Sequence, residues 1–208
     1  KDGQFNLIKG EIHSLIGENG AGKSTMMKCL FGIYSRDEGS ISLLNKSIEF
    51  KNPKEALESG VAMVHQELNL CLDRTVTDNL FLGRYPTNLG IVDEIKMFES
   101  ASSLFSSLNM NVNPKTIMRT MSVSQRQMVE IAKAVSYDAK LIVLDEPTSS
   151  LTEREVKKLF SIVRALQKKG VSFIYISHKM DEVFEVCKGA TADISRSVLK
   201  SFDRAKSS

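Results

Sequence analysis

The sequence has little cysteine, little net charge and no long apolar run. Its three cysteines, Cys29, Cys71 and Cys187, are far apart and form no CxxC pair, which is typical of reduced thiols in a reducing compartment. No segment reaches the roughly 20 consecutive apolar residues that span a bilayer, and no signal-peptide pattern precedes the first apolar run. These absences predict a soluble domain whose contact with a membrane is made through a partner. The first residue, Lys1, is not methionine, which predicts a piece of a longer chain.

The charge is small for a nucleic-acid-binding protein. The 208 residues carry a formal net charge of +3, and lysine and arginine do not gather into a long basic run. This argues against nucleic acid as the main partner. Hydrophobic residues make up 42% of the chain, so a buried core is expected.

Short apolar runs alternate with helical stretches, which predicts an α/β fold with a mostly parallel sheet. We expect one domain over residues 1–187, with a core of about 1–71 and 138–187 and a helical insert at about 72–137. The polar segment 188–208 lacks the pattern and is expected to be either a disordered tail or a segment foreign to the domain. The predicted strands are 12–16, 41–44, 61–65, 141–144 and 171–176.

A phosphate-binding motif follows the first predicted strand. Residues 17–24 read GENGAGKS and fit GxxxxGK[ST] in front of a helix. Its glycines allow a tight turn whose N–H groups point at phosphate oxygens, and the helix adds its positive end. We expect Lys23 to reach the β- and γ-phosphates of ATP, Ser24 to ligate Mg²⁺ and Thr25 to support the α-phosphate. The predicted nucleotide-binding residues are Gly17, Glu18, Asn19, Gly20, Ala21, Gly22, Lys23, Ser24 and Thr25.

Two carboxylates follow the apolar run 141–144. Ligands of parallel sheets bind beyond the carboxyl ends of the strands. We therefore expect Asp145 to hold Mg²⁺ through water and Glu146 to polarise the attacking water as general base.

Further motifs follow in the order known from the ATP-binding cassette (ABC) family, which the chain resembles over about residues 10–187. Gln66 lies where the family has its Q-loop glutamine, 121–125 resembles the signature motif, 149–152 the D-loop, and His178 the switch histidine. The resemblance implies a P-loop NTPase (RecA-like) core with an inserted α-helical subdomain. It also implies that Gln66 completes the Mg²⁺ shell and that His178 contacts the γ-phosphate. The signature residues expected to contact the nucleotide of an opposite cassette are Ser122, Ser124 and Gln125.

Residues 17–25, 64–70 and 128–134 are similar to the ATPases of bacterial monosaccharide importers, and 82–86 with 149–152 look most like those for galactose and methyl galactoside. Such proteins carry two cassettes, and this sequence would be the first. The resemblance implies ATP-driven sugar uptake at the cytoplasmic face of the inner membrane. The implied partners are transmembrane permease subunits, a second cassette and, indirectly, a periplasmic or extracellular sugar-binding protein.

The sequence departs from the family pattern in several places. Val123 and Ser124 replace two signature glycines, and Thr152 replaces the usual D-loop aspartate. We expect side chains at 123 and 124 to weaken contact with the opposite γ-phosphate, so that one of the two composite sites is slow. The family's adenine-stacking aromatic would precede Lys1, since Phe5 is too close to the phosphate motif.

Two other functions stay open at this stage. One is a soluble cassette protein that acts on ribosomes or DNA, although the extra basic arms and long insertions of that class are missing. The other is a regulatory cassette that binds ATP without turnover, which the altered signature favours and the intact Asp145–Glu146 pair disfavours.

Overall fold

The computed structural model describes residues 6–16, 22–65 and 70–187. A 3₁₀ turn, Met118–Thr120, precedes the helix that begins at Val123. In chain order the elements are β1 (Ile12–Leu15), α1 (Lys23–Leu30), β2 (Ile41–Leu43), β3 (Lys46–Ile48), α2 (Pro53–Glu58), β4 (Val61–Val64), α3 (Val76–Phe81), β5 (Thr87–Asn88), β6 (Ile91–Val92), α4 (Glu94–Ser107), α5 (Val123–Ser136), β7 (Leu141–Asp145), α6 (Glu153–Lys168), β8 (Ser172–Ile176) and α7 (Met180–Cys187).

The main sheet has four parallel strands in the order β1-β8-β7-β4. Crossovers from β1 to β4 and from β7 to β8 run through helices, as parallel strands require. The predicted parallel sheet is therefore confirmed. The strand predicted at 41–44 is present as β2, but it does not belong to the main sheet. It pairs antiparallel with β3 in a separate two-stranded hairpin.

The sheet is buried on both faces. Ile142 and Leu144 on β7 belong to one hydrophobic cluster, whereas Leu141 and Val143 belong to the other. This alternation follows from the period of two along a strand, and it explains why the sequence of β7 is continuously apolar. Met27 of α1 packs in the second cluster, and the first cluster contains residues of α5 and α6.

Between β4 and β7 the chain forms α3, α4 and α5 with the short β5–β6 hairpin. Helical structure was expected here, but the hairpin was not. Its turn places Leu89 and Gly90 at φ values of 50° and 82°, and a leucine with positive φ is an uncommon turn residue. The division of the chain into a core and a helical insert stays a prediction.

Arg84 joins the ends of α3 and α5. Its Nη1 donates to the Ser136 carbonyl at 2.8 Å and its Nη2 to the Leu80 carbonyl at 3.1 Å. A further hydrogen bond runs to Ser136 Oγ, and the guanidinium lies 3.7 Å from the ring centre of Tyr137. Burial lowers the pKa of Arg84, and the interaction with Tyr137 offsets part of that decrease. None of the helices in the described ranges is long and apolar enough to cross a membrane.

Candidate nucleotide site

Parallel strands end at the same edge of a sheet, and three of the predicted site residues, Asp145, Glu146 and His178, lie at that edge. The end of β7 carries Asp145 and Glu146, and the chain after β8 carries His178. β4 ends directly before His65, and the chain after β1 leads toward α1. We call residues 145–148 and 177–182 the strand-end region.

The start of α1 has the backbone of an anion-binding helix end. Gly22 adopts φ 87°, in the left-handed region, and its carbonyl accepts the N–H of Met26 at 2.9 Å. Within the described residues no side chain caps this helix, and its first turn, which contains Lys23, Ser24 and Thr25, has no acidic residue. The positive end of the helix is therefore compatible with phosphate. The predicted phosphate-binding residues Gly17, Glu18, Asn19, Gly20 and Ala21 lie outside the described residues.

Asp145 is half-buried and lies in a mixed electrostatic environment. Burial, reinforced by the charge of Glu146, raises the pKa of Asp145, while His65 and Lys23 oppose the rise. The Lys23 ammonium and His65, at the end of β4, therefore interact electrostatically with the Asp145 carboxylate. His65 was not among the predicted site residues, because a single histidine after a strand carries no specific signal. Gln66, the next residue, lies outside the described residues.

Glu146 and His178 lie in contact. His178 Nδ1 is 3.1 Å from Glu146 Oε1, and the side chains are 59% and 25% exposed, respectively. The backbone of Glu146 has φ 45°, and its N–H donates to the carbonyl of Ile176 at 3.0 Å. Residues 32 positions apart in sequence thus meet because β7 and β8 are neighbours, with Asp145 opposite Ile176.

A second set of polar contacts in the strand-end region was not predicted. Glu182 on the first turn of α7 accepts hydrogen bonds from the side chains of Thr148, Tyr175 and Lys179. Tyr175 and Thr148 are buried. Their types and spacing are ordinary for a strand and a loop, so only the fold reveals the cluster.

The signature residues begin α5. Ser122 Oγ accepts the Gln125 N–H at 3.3 Å, and Gln125 Oε1 accepts the Ser122 N–H at 2.9 Å. This is a capping box, which satisfies two backbone donors at the helix start. We call residues 122–125 the signature end. Gln127, one turn further, donates to the Pro147 carbonyl at 2.7 Å and so links α5 to the strand-end region.

Two of the departures from the family pattern meet at one carboxylate. Ser124 Oγ donates to Glu155 Oε1 at 2.5 Å and lies 3.1 Å from Ser122 Oγ. Thr152 donates to Glu155 Oε2 through both its N–H and its hydroxyl, each at 2.9 Å. The hydrogen bond from Ser124, with those from Thr152, lowers the pKa of Glu155. The Ser124 hydroxyl is thus turned toward α6, whereas the side chain of Val123 is 47% exposed.

The donor set fits Mg²⁺. Asp145 and Ser24 offer carboxylate and hydroxyl oxygens, which this hard cation prefers. Among the described residues there is no group of three or more His, Cys, Asp or Glu side chains that could hold a metal by themselves. That is compatible with Mg²⁺, which is commonly bound through one or two protein groups together with substrate phosphates and water.

Two curated proteins show how this chain is related to known proteins. The chain is 94% identical to the galactose/methyl galactoside import ATP-binding protein of Treponema denticola over 183 residues, which are 88% of this chain and 37% of that protein. The corresponding protein of Treponema pallidum is 68% identical over the same shares. The chain therefore spans only about 37% of the length of these curated relatives.

Solved structures show the same fold. A crystal structure of an ATP-binding cassette of an ABC transporter in its ADP conformation matches with a TM-score of 0.74 and 28% identity, over 86% of this chain and 75% of that chain. A nucleotide-free cassette from an ABC transporter matches with a TM-score of 0.73 over the same shares. The model of the family described as "ABC transporter" matches residues 1–149. The chain belongs to the ABC transporter family and has the P-loop NTPase fold of its ATP-binding cassettes.

Proposed function

We propose that this chain is the first cassette of an ABC importer ATPase, which binds Mg-ATP and hydrolyses it to drive the uptake of a monosaccharide. The observation that carries the proposal is the contact of 3.1 Å between Glu146 and His178 beside Asp145. A carboxylate, a histidine and a metal-binding acid at the ends of neighbouring strands are the groups that phosphoryl transfer to water needs.

The start of α1 holds the triphosphate in this proposal. The predicted phosphate motif, residues 17–24, binds the phosphates together with the positive end of the helix, Lys23 neutralises the β- and γ-phosphates, and Thr25 supports the α-phosphate. Asp145, Ser24 and Gln66 would hold Mg²⁺, which would offset negative charge on the phosphate oxygens when bound.

Glu146 accepts a proton from the water that attacks the γ-phosphate. Its contact with His178 keeps the carboxylate oriented, and the other ring nitrogen of His178 is then available to the γ-phosphate. Ser122, Ser124 and Gln125 contact the nucleotide that is bound to the opposite cassette. Each composite site therefore needs both cassettes, and closure of the pair precedes hydrolysis.

The curated relatives support the choice of substrate and partners. They are named galactose/methyl galactoside import ATP-binding proteins. We infer that this chain acts with transmembrane permease subunits at the cytoplasmic face of the membrane, and that a sugar-binding protein delivers the substrate. The greater length of the relatives supports a second cassette on the same chain.

Calorimetric titration with Mg-ATP tests the proposal at its first step. We expect saturable binding that Lys23→Ala reduces by at least about tenfold, because Lys23 contributes charge-assisted hydrogen bonds to phosphate. Lys54→Ala is the matched control, since the Lys54 side chain is 77% exposed on α2 and pairs with Glu58 one turn along the same helix. Equal affinity in all three proteins would refute the assignment of the phosphate site.

A regulatory cassette without turnover is the second candidate. The hydrogen bond of Ser124 to Glu155 favours it, because this hydroxyl is engaged within its own chain. Single-turnover hydrolysis, measured separately at each composite site of the full-length protein, distinguishes the two functions. A burst of product at the site that contains Glu146 supports the ATPase, and its absence supports the regulatory cassette.

A further inference from the structure

The carboxylate of Glu182 connects three separate segments of the chain. Its Oε2 accepts the hydroxyls of Thr148 and of Tyr175, the latter at 3.0 Å, and its Oε1 accepts Lys179 Nζ at 3.0 Å. Thr148 follows β7, Tyr175 lies within β8, and Lys179 lies between β8 and α7. One side chain thus holds together the two loops that carry Glu146 and His178.

Burial makes these hydrogen bonds strong constraints. Tyr175 is 0% exposed, Thr148 is 3% exposed, and the side chain of Glu182 is 14% exposed. Burial alone disfavours the Glu182 carboxylate, but the hydrogen bonds from Thr148, Lys179 and Tyr175 outweigh it and lower the pKa of Glu182. Burial also raises the pKa of Tyr175, so its phenol stays a donor. The third donor, Lys179, has a side chain that is 46% exposed. A carboxylate that accepts hydrogen bonds from two buried hydroxyl groups is costly to rearrange.

The residues that Glu182 holds are close neighbours of the reacting pair. Thr148 is two residues after Glu146, and Lys179 directly follows His178. The His178 side chain is 59% exposed, so its own packing does not fix its position. The distance between Glu146 and His178 therefore depends on where the two loops are anchored.

We propose that Glu182 is a positioning residue for ATP hydrolysis, which fixes the contact between Glu146 and His178 by tying their loops to each other and to Tyr175. The inference rests on the proposed ATPase function. In this proposal Glu182 acts through its hydrogen bonds to Thr148, Tyr175 and Lys179, and not directly on the nucleotide or the water. Its removal should affect the chemical step and leave binding at the start of α1 intact, because a small misplacement of a reacting group lowers the rate steeply.

Steady-state hydrolysis and ATP binding in the full-length protein test the proposal. We expect Glu182→Gln to lower kcat by about 10- to 100-fold, with the Kd for Mg-ATP within about twofold of wild type. Asp181→Asn is the matched control, because Asp181 is an exposed acid on the same turn of α7. A wild-type kcat for Glu182→Gln would overturn the positioning role. A proportional loss of ATP binding would overturn it as well, since that is the result of a general structural defect.

A double variant separates positioning from an independent contribution. If Glu182 acts through Glu146, then Glu182→Gln should lower kcat by less than about twofold in a Glu146→Gln background, because effects of groups that act as a unit are not additive. Full additivity of the two losses would contradict the proposal.

If Glu182→Gln does not fold, the Tyr175→Phe variant tests the positioning role of Glu182 instead. It removes one donor and keeps the aromatic contact with Phe160, whose ring centre lies 5.9 Å away. We expect kcat to fall by about fivefold at unchanged Kd, and an unchanged kcat would overturn the proposal. Absence of hydrolysis in the wild-type protein is a distinct result, because it would refute the proposed function together with this inference.

Discussion

The strand-end region and the signature end hold their polar residues in opposite ways. In the strand-end region, Glu182 collects donors from buried residues such as Thr148 and Tyr175. At the signature end, Ser122 is exposed and is held by a capping box at the start of α5. Buried, charge-assisted networks keep one geometry, whereas exposed caps are weaker and adapt to a partner. Positions are thus fixed most tightly where the proposed chemistry takes place.

The largest expected effect lies in the strand-end region. Glu146→Gln removes the proposed base but keeps the size of the side chain, so we expect turnover to fall by about 10²- to 10⁴-fold at nearly unchanged ATP affinity. The steady-state ATPase rate of the full-length protein measures this, with Glu99→Gln, an exposed acid on α4, as control. Unchanged turnover would show that Glu146 is not the base, and the contrast between the two regions would lose its functional meaning.

A substitution at Arg84 measures how much the contacts between α3 and α5 contribute to the stability of the fold. Arg84→Met removes hydrogen bonds to two carbonyls, and we expect the free energy of unfolding to fall by about 2 kcal/mol. Denaturant titration measures this. Arg84→Lys should recover only part of the loss, since an ammonium lacks the planar fork. Arg154→Ala on the exposed side of α6 is the control, and an equal loss there would contradict the anchor.

Asp145 is a half-buried acid in the strand-end region, and we expect its charge to lower the stability of the ligand-free protein. The folded protein raises the pKa of Asp145, chiefly by burial. The native state therefore holds this proton to higher pH than the unfolded state, so stability falls as pH rises through the window between the unfolded and the folded pKa. Asp145→Asn removes this penalty. We expect it to stabilise the ligand-free protein by less than about 1 kcal/mol at neutral pH, because solvent screens the group.

Chemical denaturation at several pH values checks the sign. The advantage of Asp145→Asn should be absent at pH values below the unfolded pKa and should reach its full size above the folded pKa. An advantage that shrinks as pH rises would contradict the assignment. The same variant should bind Mg-ATP more weakly, since the carboxylate is the proposed metal ligand.

The smallest effect is expected at the signature end. Ser124→Ala breaks the hydrogen bond to Glu155, but Glu155 keeps both donors from Thr152. We expect the ATPase rate of the full-length protein to change by no more than about fivefold, because only a single hydrogen bond is lost and Glu155 keeps its other donors. Ser124→Gly restores the family residue and serves as the comparison. A loss as large as that of Glu182→Gln would erase the difference between the two regions.

The parallel sheet, and the location of Asp145 and Glu146 at a strand end, are predictable because both have local signals in the sequence; the catalytic roles of the two acids stay predictions. The apolar run of β7 is continuous, as a strand buried on both faces requires, and Asp145 follows it directly. The register of β8 is invisible in the sequence, yet it brings His178 to Glu146. Glu182 is an ordinary acid in the first turn of a helix, and only the neighbouring strand gives it a role.

Two further features show where local signals fail. His65 affects the pKa of Asp145 only because β4 lies beside β7. The orientation of the Ser124 hydroxyl depends on α6, whose start is brought to α5 by the fold. The sequence identified Ser124 as a departure from the family pattern but did not show that Glu155 accepts a hydrogen bond from its hydroxyl. In both cases the missing information is tertiary, and no spacing within one element encodes it.

The left-handed backbone of Glu146, with φ 45°, has a consequence for selection experiments. Such a conformation costs a residue with a Cβ on the order of 1 kcal/mol, and glycine or asparagine adopts it more readily. A library screened for folding alone should therefore drift toward glycine or asparagine at position 146. Under the proposed function in sugar uptake, a library screened for sugar-dependent growth should retain glutamate. The residue that accumulates at this one position thus reports which of the two pressures a population has experienced.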